Sequence, residues 1–197
     1  MNHSSAPPVA IRPMTRADID AFGEWGRHDD PLFASYNIPP LDAPAADDLW
    51  RHLAGRPHER RPFAGTVGGR FAAQLIVRFG SDRALGDIGI VIDPALVGRG
   101  LGRRILRAFT RYLKETESFE RLSLDVAAYN ERAIRAYHAA GFAVTHESWG
   151  PPDAGIDLDG LAARDDARLR PYARREAGIW RLLILHMEMR LDAETFT

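Results

Sequence analysis

The chain has 197 residues, 45% of them hydrophobic and 27% charged, with a formal net charge of −1. That is enough apolar chain for a full core in one domain, and too little excess charge to attract nucleic acid or an anionic membrane surface. The absence of cysteine excludes disulfides, thiolate metal ligands and a cysteine nucleophile; the histidines show no metal-ligand spacing, so no metal is expected. No apolar run reaches the ~18 residues of a membrane span, and the N-terminus lacks a basic-then-apolar pattern. No membrane partner is expected, and the cytoplasm is the expected compartment.

In chain order, Met1–Pro8 is polar and proline-containing and reads as a frayed tail. Val9–Arg12 reads as a first strand. Thr15 with Asp18 three residues on resembles a capping box, opening a helix whose Ile19 and Phe22 face inward. Asp29–Pro44 is a long proline-rich connection carrying Phe33 and Tyr36, and His28-Asp29-Asp30 reads as a polar turn. A second helix over Ala45–Ala54 buries Leu49, Trp50 and Leu53. Pro62–Val67 and Arg70–Phe79 form a hairpin about Gly68-Gly69, a pair suited to positive φ. Ile88–Ile92 is an apolar strand ended by Asp93-Pro94. Arg103–Glu115 is a helix with Ile105, Leu106, Phe109, Tyr112 and Leu113 on one face. Leu122–Ala127 is the next strand and Glu131–Ala140 the next helix, with Gly141 at its C-terminal cap. Ala143–Glu147 and Ile179–Leu191 finish the sheet. Between them, Ser148–Gly178 is longer than a hairpin connection requires and is expected to carry a short helix around Leu161–Arg170. Residues 9–191 thus read as one domain, with 148–178 inserted before the last strand.

The densest chemistry lies after Ile92. A strand feeding Gly98-Arg99-Gly100-Leu101-Gly102, and then a helix, brings several orphan N–H groups and the positive end of a macrodipole to one point. Such a point holds phosphate. A P-loop requires Lys-Ser/Thr after its last glycine, where this chain has Arg103-Arg104. A dinucleotide fingerprint requires a third glycine where Arg103 stands, and its acidic residue would fall on Asp125, inside an apolar strand rather than at its end. A nicotinamide enzyme is disfavoured on both counts.

Downstream, Asn130, Ala133, Tyr137, Gly141 and Phe142 match in full the pattern Asn-x-x-Ala-x-x-x-Tyr-x-x-x-Gly-Phe. With the glycine loop before it, this resembles the GNAT superfamily of acetyl-CoA-dependent N-acetyltransferases. Gly100 and Gly102 fall on the two anchoring glycines of that family's loop, while Val97 replaces its usual Arg or Gln. The resemblance implies an α/β fold with a single mixed, mostly antiparallel central sheet of about seven strands flanked by helices. It further implies a bulged strand over Ile90, Val91 and Ile92 that splays from its neighbour at the acyl-CoA site. Acetyl-CoA is then the acyl donor, and transfer to a primary amine is direct, within a ternary complex. The acceptor is a small molecule or a peptide, and a homodimer is a candidate assembly. A non-catalytic acyl-CoA-binding module of the same fold is the alternative.

The resemblance places the nucleotide phosphates on the backbone of Gly98, Arg99, Gly100, Leu101, Gly102 and Arg103, with Arg99 and Arg103 as cationic partners. Arg104 has the same candidate role, whereas Arg107 and Arg111 read as a solvated face. An oxyanion donor is expected at the N–H of Val91 or Ile92. Tyr137, two helical turns beyond Asn130 and on its face, is the candidate general acid or a core residue. Asn130 caps its helix and reaches the pantetheine arm, two compatible roles. Asp87 is the candidate base; Asp93 reads as a turn residue, and His146 and Glu147 remain alternatives. The acceptor pocket is expected between Trp25–Tyr36 and the 148–178 excursion, with Asp29 and Asp30 steering a cation.

Overall fold

Alternation of apolar and polar side chains, two faces of one sheet, organises most of this chain. The computed structural model describes residues 6–164 and 167–191; most of the expected tail, and two residues of the helix expected around Leu161–Arg170, lie outside them. Its strands are β1 (Val9–Pro13), β2 (Arg60–Val67), β3 (Arg70–Phe79), β4 (Leu85–Ile92), β5 (Arg121–Ala127), β6 (Ala143–Gly150), β7 (Ala173–Glu176) and β8 (Ile179–Arg190). The helices are α1 (Arg16–Asp20), α2 (Ala43–Ala54), α3 (Leu101–Thr116), α4 (Glu131–His138) and α5 (Leu158–Ala163). The sheet runs β1-β2-β3-β4-β5-β8-β6, with β7 also on β8. Every pairing is antiparallel except β4 with β5.

One face carries α3 and α4. Leu122, Leu124 and Val126 of β5, Met187 and Met189 of β8, and Ile88 of β4 meet Ile105, Leu106, Phe109 and Leu113 of α3 in the main core. The other face is covered in two patches. Ile19, Phe22 and Leu53 close over Phe71 and Ile76, while Leu32, Leu158, Leu161 and Leu169 close over Ala127 and Leu182. Between these patches the sheet floor is polar and open.

Local chemistry explains the boundaries. Asp42 accepts from Ala45 N and starts α2 two residues earlier than expected, with Pro44 in its first turn. Thr15 N donates to Asp18 at 2.7 Å, as the capping box predicts. The expected loop Asp29–Pro44 contains a 3₁₀ turn at Pro31–Tyr36, begun by Asp30 accepting from Leu32 N. The helix expected around Leu161–Arg170 sits earlier, as α5, because Asp157 caps it through Gly160 N at 2.9 Å. An eighth strand arises because Ala177 and Gly178 both adopt positive φ (48° and 81°), closing a tight hairpin between β7 and β8.

Candidate active site

The β4–β5 pairing is where the sheet opens. Only Leu85, Gly86 and Asp87 pair with β5, whereas β5 stays zipped to β8 over its whole length. β4 meanwhile pairs with β3 without any register shift, so the bulge expected there is absent and divergence of β5 alone makes the gap. Strand parity decides which peptide groups face it. Asp93 N, just after β4, donates to Ala72 O on β3 at 2.9 Å, so Val91 and Gly89 also face β3. Ile90 and Ile92 therefore turn their N–H and C=O groups into the gap, while Ile88 faces the paired end of β5. This corrects the expectation for Val91, whose N–H belongs to the β3 ladder.

A cavity of about 720 Å³ passes through this gap from one face of the sheet to the other. On the α3 side its wall is Gly98, Gly100, Gly102, Arg103, Leu106, Asn130 and Tyr137. Gly98 and Gly100 have φ of 83° and 72°, and a Cβ at either would meet nothing within 4 Å, so the loop offers bare backbone to open space. Gly100 caps α3 without a side-chain acceptor, leaving the first-turn N–H groups directed outward. At Gly102 a Cβ would come within 3.2 Å of Ile92 Cδ1, which explains a small residue where helix meets strand.

Two expected contributors do not line this wall. Leu101 is the first residue of α3 and buries its side chain in the main core. Arg99 is exposed and is not among the lining residues. Arg104, the other loop-end cation, donates to Pro7 O at 2.5 Å, and Arg107 to Ala139 O at 3.1 Å. Arg103 is the cation that remains in the wall.

Asn130 accepts from Ala133 N at 3.2 Å and caps α4. Tyr137, two turns on, lines the cavity while its ring packs edge-on against Phe142. Burial, with a smaller contribution from Tyr36, pushes its phenol well above the ordinary tyrosine value. It is a protonated donor throughout the neutral range.

Across the sheet the wall is His28, Phe33, Tyr36, Arg78, Asp87, Gly89, Asp125, Arg132 and Asp153. Phe33 packs edge-on against Tyr129 at 5.7 Å, and Asn37 clamps the loop by accepting from His28 N and donating to His28 O. Burial pushes the Tyr36 phenol up, and Asp153 adds to the shift. Burial also holds the His28 imidazole below its usual value, helped by Arg132 and opposed by Asp30 and Asp29. Asp30 is committed to Arg168 at 2.6 Å and is not in the wall. Trp25 belongs to the α1–α2 core, edge-on to Phe22 and tilted against Phe71.

Asp87 is half-exposed and paired with Arg78 at 3.1 Å. Burial raises its carboxyl above the usual range; Arg78 opposes this and the like charge of Asp125 adds to it. Asp125 is the second carboxylate of the wall. Its signal was the alternation Arg121-x-Ser123-x-Asp125 against Leu122, Leu124 and Val126, which turns it away from the core. Asp93 is fully buried. It accepts from Gly26 N and Ala95 N, both at 2.9 Å, and from Arg70 at 3.0 Å, so it ties the residue 26 loop to the entry of the glycine loop. His146 lies beside β8 rather than in the wall, and Glu147 projects from the opposite face to His146. Among the described residues no cluster of His, Asp and Glu is arranged to hold a metal ion, and no helix is long and apolar enough to cross a membrane.

A mixed sheet parted at one parallel pair, with an uncapped glycine loop at the parting, brings bare backbone N–H groups and a helix N-terminus to one opening, an arrangement that holds phosphate. The acetyltransferase (GNAT) family model matches residues 21–142, more than half of the chain, and the protein belongs to that family. It is an N-acetyltransferase. The chain is 29% identical over 143 residues to N-alpha-acetyltransferase RimI of Mycobacterium tuberculosis (strain ATCC 25618 / H37Rv), covering 68% of this chain and 78% of that one. Among solved structures it resembles a spermidine N-acetyltransferase from Vibrio cholerae in complex with CoA and spermine. There the TM-score is 0.66 at 13% identity, covering 92% of this chain and 95% of the other. It also resembles AAC(6')-Ib in complex with paromomycin and acetyl-CoA, with TM-score 0.61 at 16% identity over 93% of each chain.

Proposed function

We propose that residues 9–191 act as one unit that transfers acetyl from acetyl-CoA directly to an amine seated on the far side of the sheet gap. The observation that carries this reading is the single cavity joining an uncapped glycine loop, unpaired β4 peptide groups, the buried Tyr137 phenol and the carboxylates of Asp87, Asp125 and Asp153. The donor half fits the cosubstrate. Gly98, Gly100 and Gly102 expose backbone N–H groups for phosphate, Arg103 adds charge, and Ile90 and Ile92 offer unused ladder groups to an amide-bearing arm. The thioester supplies an activated acetyl group, and the protein's task is placement and proton movement.

The N–H of Ile92 or Ile90 stabilises negative charge on the acetyl oxygen, because both face the gap in a fixed strand. Tyr137 protonates the leaving sulfur. On the acceptor side, Asp87 and Asp125 draw a cationic amine and take up its proton; Asp125 is the stronger candidate because Arg78 holds Asp87, whereas Asp125 is mostly exposed and bonded to the His186 ring. Phe33, Tyr36 and His28 form the wall against which a small-molecule or peptide amine packs.

The test is acetyl transfer, read as released thiol, to a panel containing a peptide with a free α-amine, spermidine and ribostamycin. Turnover on at least one, lost in Asp125→Asn and only reduced in Asp87→Asn, supports the reading. Equal turnover in Asp125→Asn and wild type removes the acceptor-side assignment.

A further inference from the structure

The polar floor between the two apolar patches holds a hydrogen-bonded row of which the reaction above uses Asp125 alone. Asp125 on β5 faces His186 on β8, with Asp125 Oδ1 and His186 Nδ1 2.6 Å apart. The other ring nitrogen, His186 Nε2, is 2.7 Å from Ser148 Oγ on β6. The register shift between Val144 and His146 brings His146 opposite His186, and the two rings stack at 4.1 Å and 7°. Thr145, the extra residue, bonds both His146 Nδ1 and the His186 carbonyl at 3.1 Å. Three strands are thus locked in register around one imidazole. Asp125 is mostly exposed at 65%, but the His186 side chain is only 25% exposed and lies behind the cavity wall.

Resting on the reading of Asp125 as the acceptor-side base, we infer that His186 is its positioning residue: it donates from Nδ1 to one Asp125 oxygen and leaves the other free toward the acceptor amine. An ionised carboxylate only accepts, so the Nδ1 position must carry the proton. The Ser148 hydroxyl then donates to Nε2 and fixes that tautomer. The other charged groups around the ring are His146 on β6, Glu188 on β8 and Arg121 on β5, the last two paired at 3.1 Å; Asp87 with Arg78 lies beyond Asp125. His186 touches neither donor nor acceptor, and its effect passes through Asp125.

Two readouts test this on the full chain with CoA bound. Long-range ¹H–¹⁵N correlation of the imidazoles should show neutral His186 protonated at Nδ1, and this preference should weaken in Asp125→Ala, which removes the acceptor. For activity, with the best acceptor of the panel, His186→Ala should lose roughly tenfold to a hundredfold in kcat with unchanged acetyl-CoA affinity. His186→Asn keeps a donor near the Nδ1 position but cannot titrate. It should stay within about threefold of wild type, a rescue that a merely packing role would not give. A His186 protonated at Nε2, or a His186→Asn variant as impaired as His186→Ala, overturns the inference. No turnover with any amine instead counts against the acetyl-transfer reading, and the tautomer still decides this one.

Discussion

Replacing Asp93 with alanine perturbs the joint between the acceptor loop and the cofactor loop. The carboxylate is completely buried and accepts from two backbone N–H groups, those of Gly26 and Ala95, both at 2.9 Å. Removing it leaves two part-buried N–H donors without their carboxylate partner, at about 1–3 kcal/mol each. The Arg70 pair adds about 1 kcal/mol at most, because that guanidinium is half-exposed and solvent screens it. Asp93→Ala is therefore expected to lose roughly 3–5 kcal/mol, whereas Asp93→Asn keeps the acceptor oxygen for both N–H groups and should lose about 1 kcal/mol. In urea, with a slope of about 2 kcal/mol/M, the alanine variant's midpoint falls by roughly 1.5–2.5 M. Acetyl-CoA affinity should fall in the same order, because the Pro94–Leu96 turn held by Asp93 leads directly into Gly98. An alanine variant within about 0.5 kcal/mol of wild type would refute the reasoning, since a surface site behaves that way.

Tyr137→Phe should lower kcat by about 10²–10⁴-fold with acetyl-CoA affinity within twofold, measured by steady-state kinetics and calorimetry; a large loss of affinity would make Tyr137 a packing residue instead. Gly100→Val forces a branched side chain into the left-handed region at about 1–2 kcal/mol and projects it over the first turn of α3. It should weaken acetyl-CoA binding more than tenfold with only a modest drop in thermal midpoint. Burial raises the Asp18 carboxyl, but bonds from Arg12 and Thr15 outweigh this and hold it below the ordinary value of about 3.9. A depressed carboxylate stabilises the fold above that value and loses the contribution as pH falls through the folded value. Stability measured from pH 6 to pH 2 should thus fall less steeply in Asp18→Asn than in wild type, and parallel curves would remove Asp18 from the account.

The parts of the site legible in the sequence are those made by neighbours along the chain. Gly98, Gly100 and Gly102 announce a loop whose positive φ and open face follow from the residue type alone, and Asn130 to Phe142 carry their spacing on one helix. Hairpin chemistry at Gly68-Gly69 was equally plain. The turn at Ala177-Gly178 was not, because alanine gives no cue for positive φ, and β7 was hidden with it. Arg99 and Arg103 look alike in sequence; only the direction of the loop places one in the wall and the other outside. Asp125, His186 and Ser148 are brought together by the register of β5, β8 and β6, including a shift at Thr145, and pairing register is a property of the assembled sheet. The parity that separates Ile92 from Val91 is likewise fixed by a hydrogen bond to Ala72, far away in sequence.

The most direct test of the central claim is calorimetric titration of the protein with acetyl-CoA, beside Arg103→Glu and Gly100→Val. The account predicts a single saturable site in wild type, weakened at least tenfold in both variants, with free CoA competing for it. No saturable binding, or equal affinity in all three proteins, would contradict the placement of the acyl donor at the β4–β5 gap.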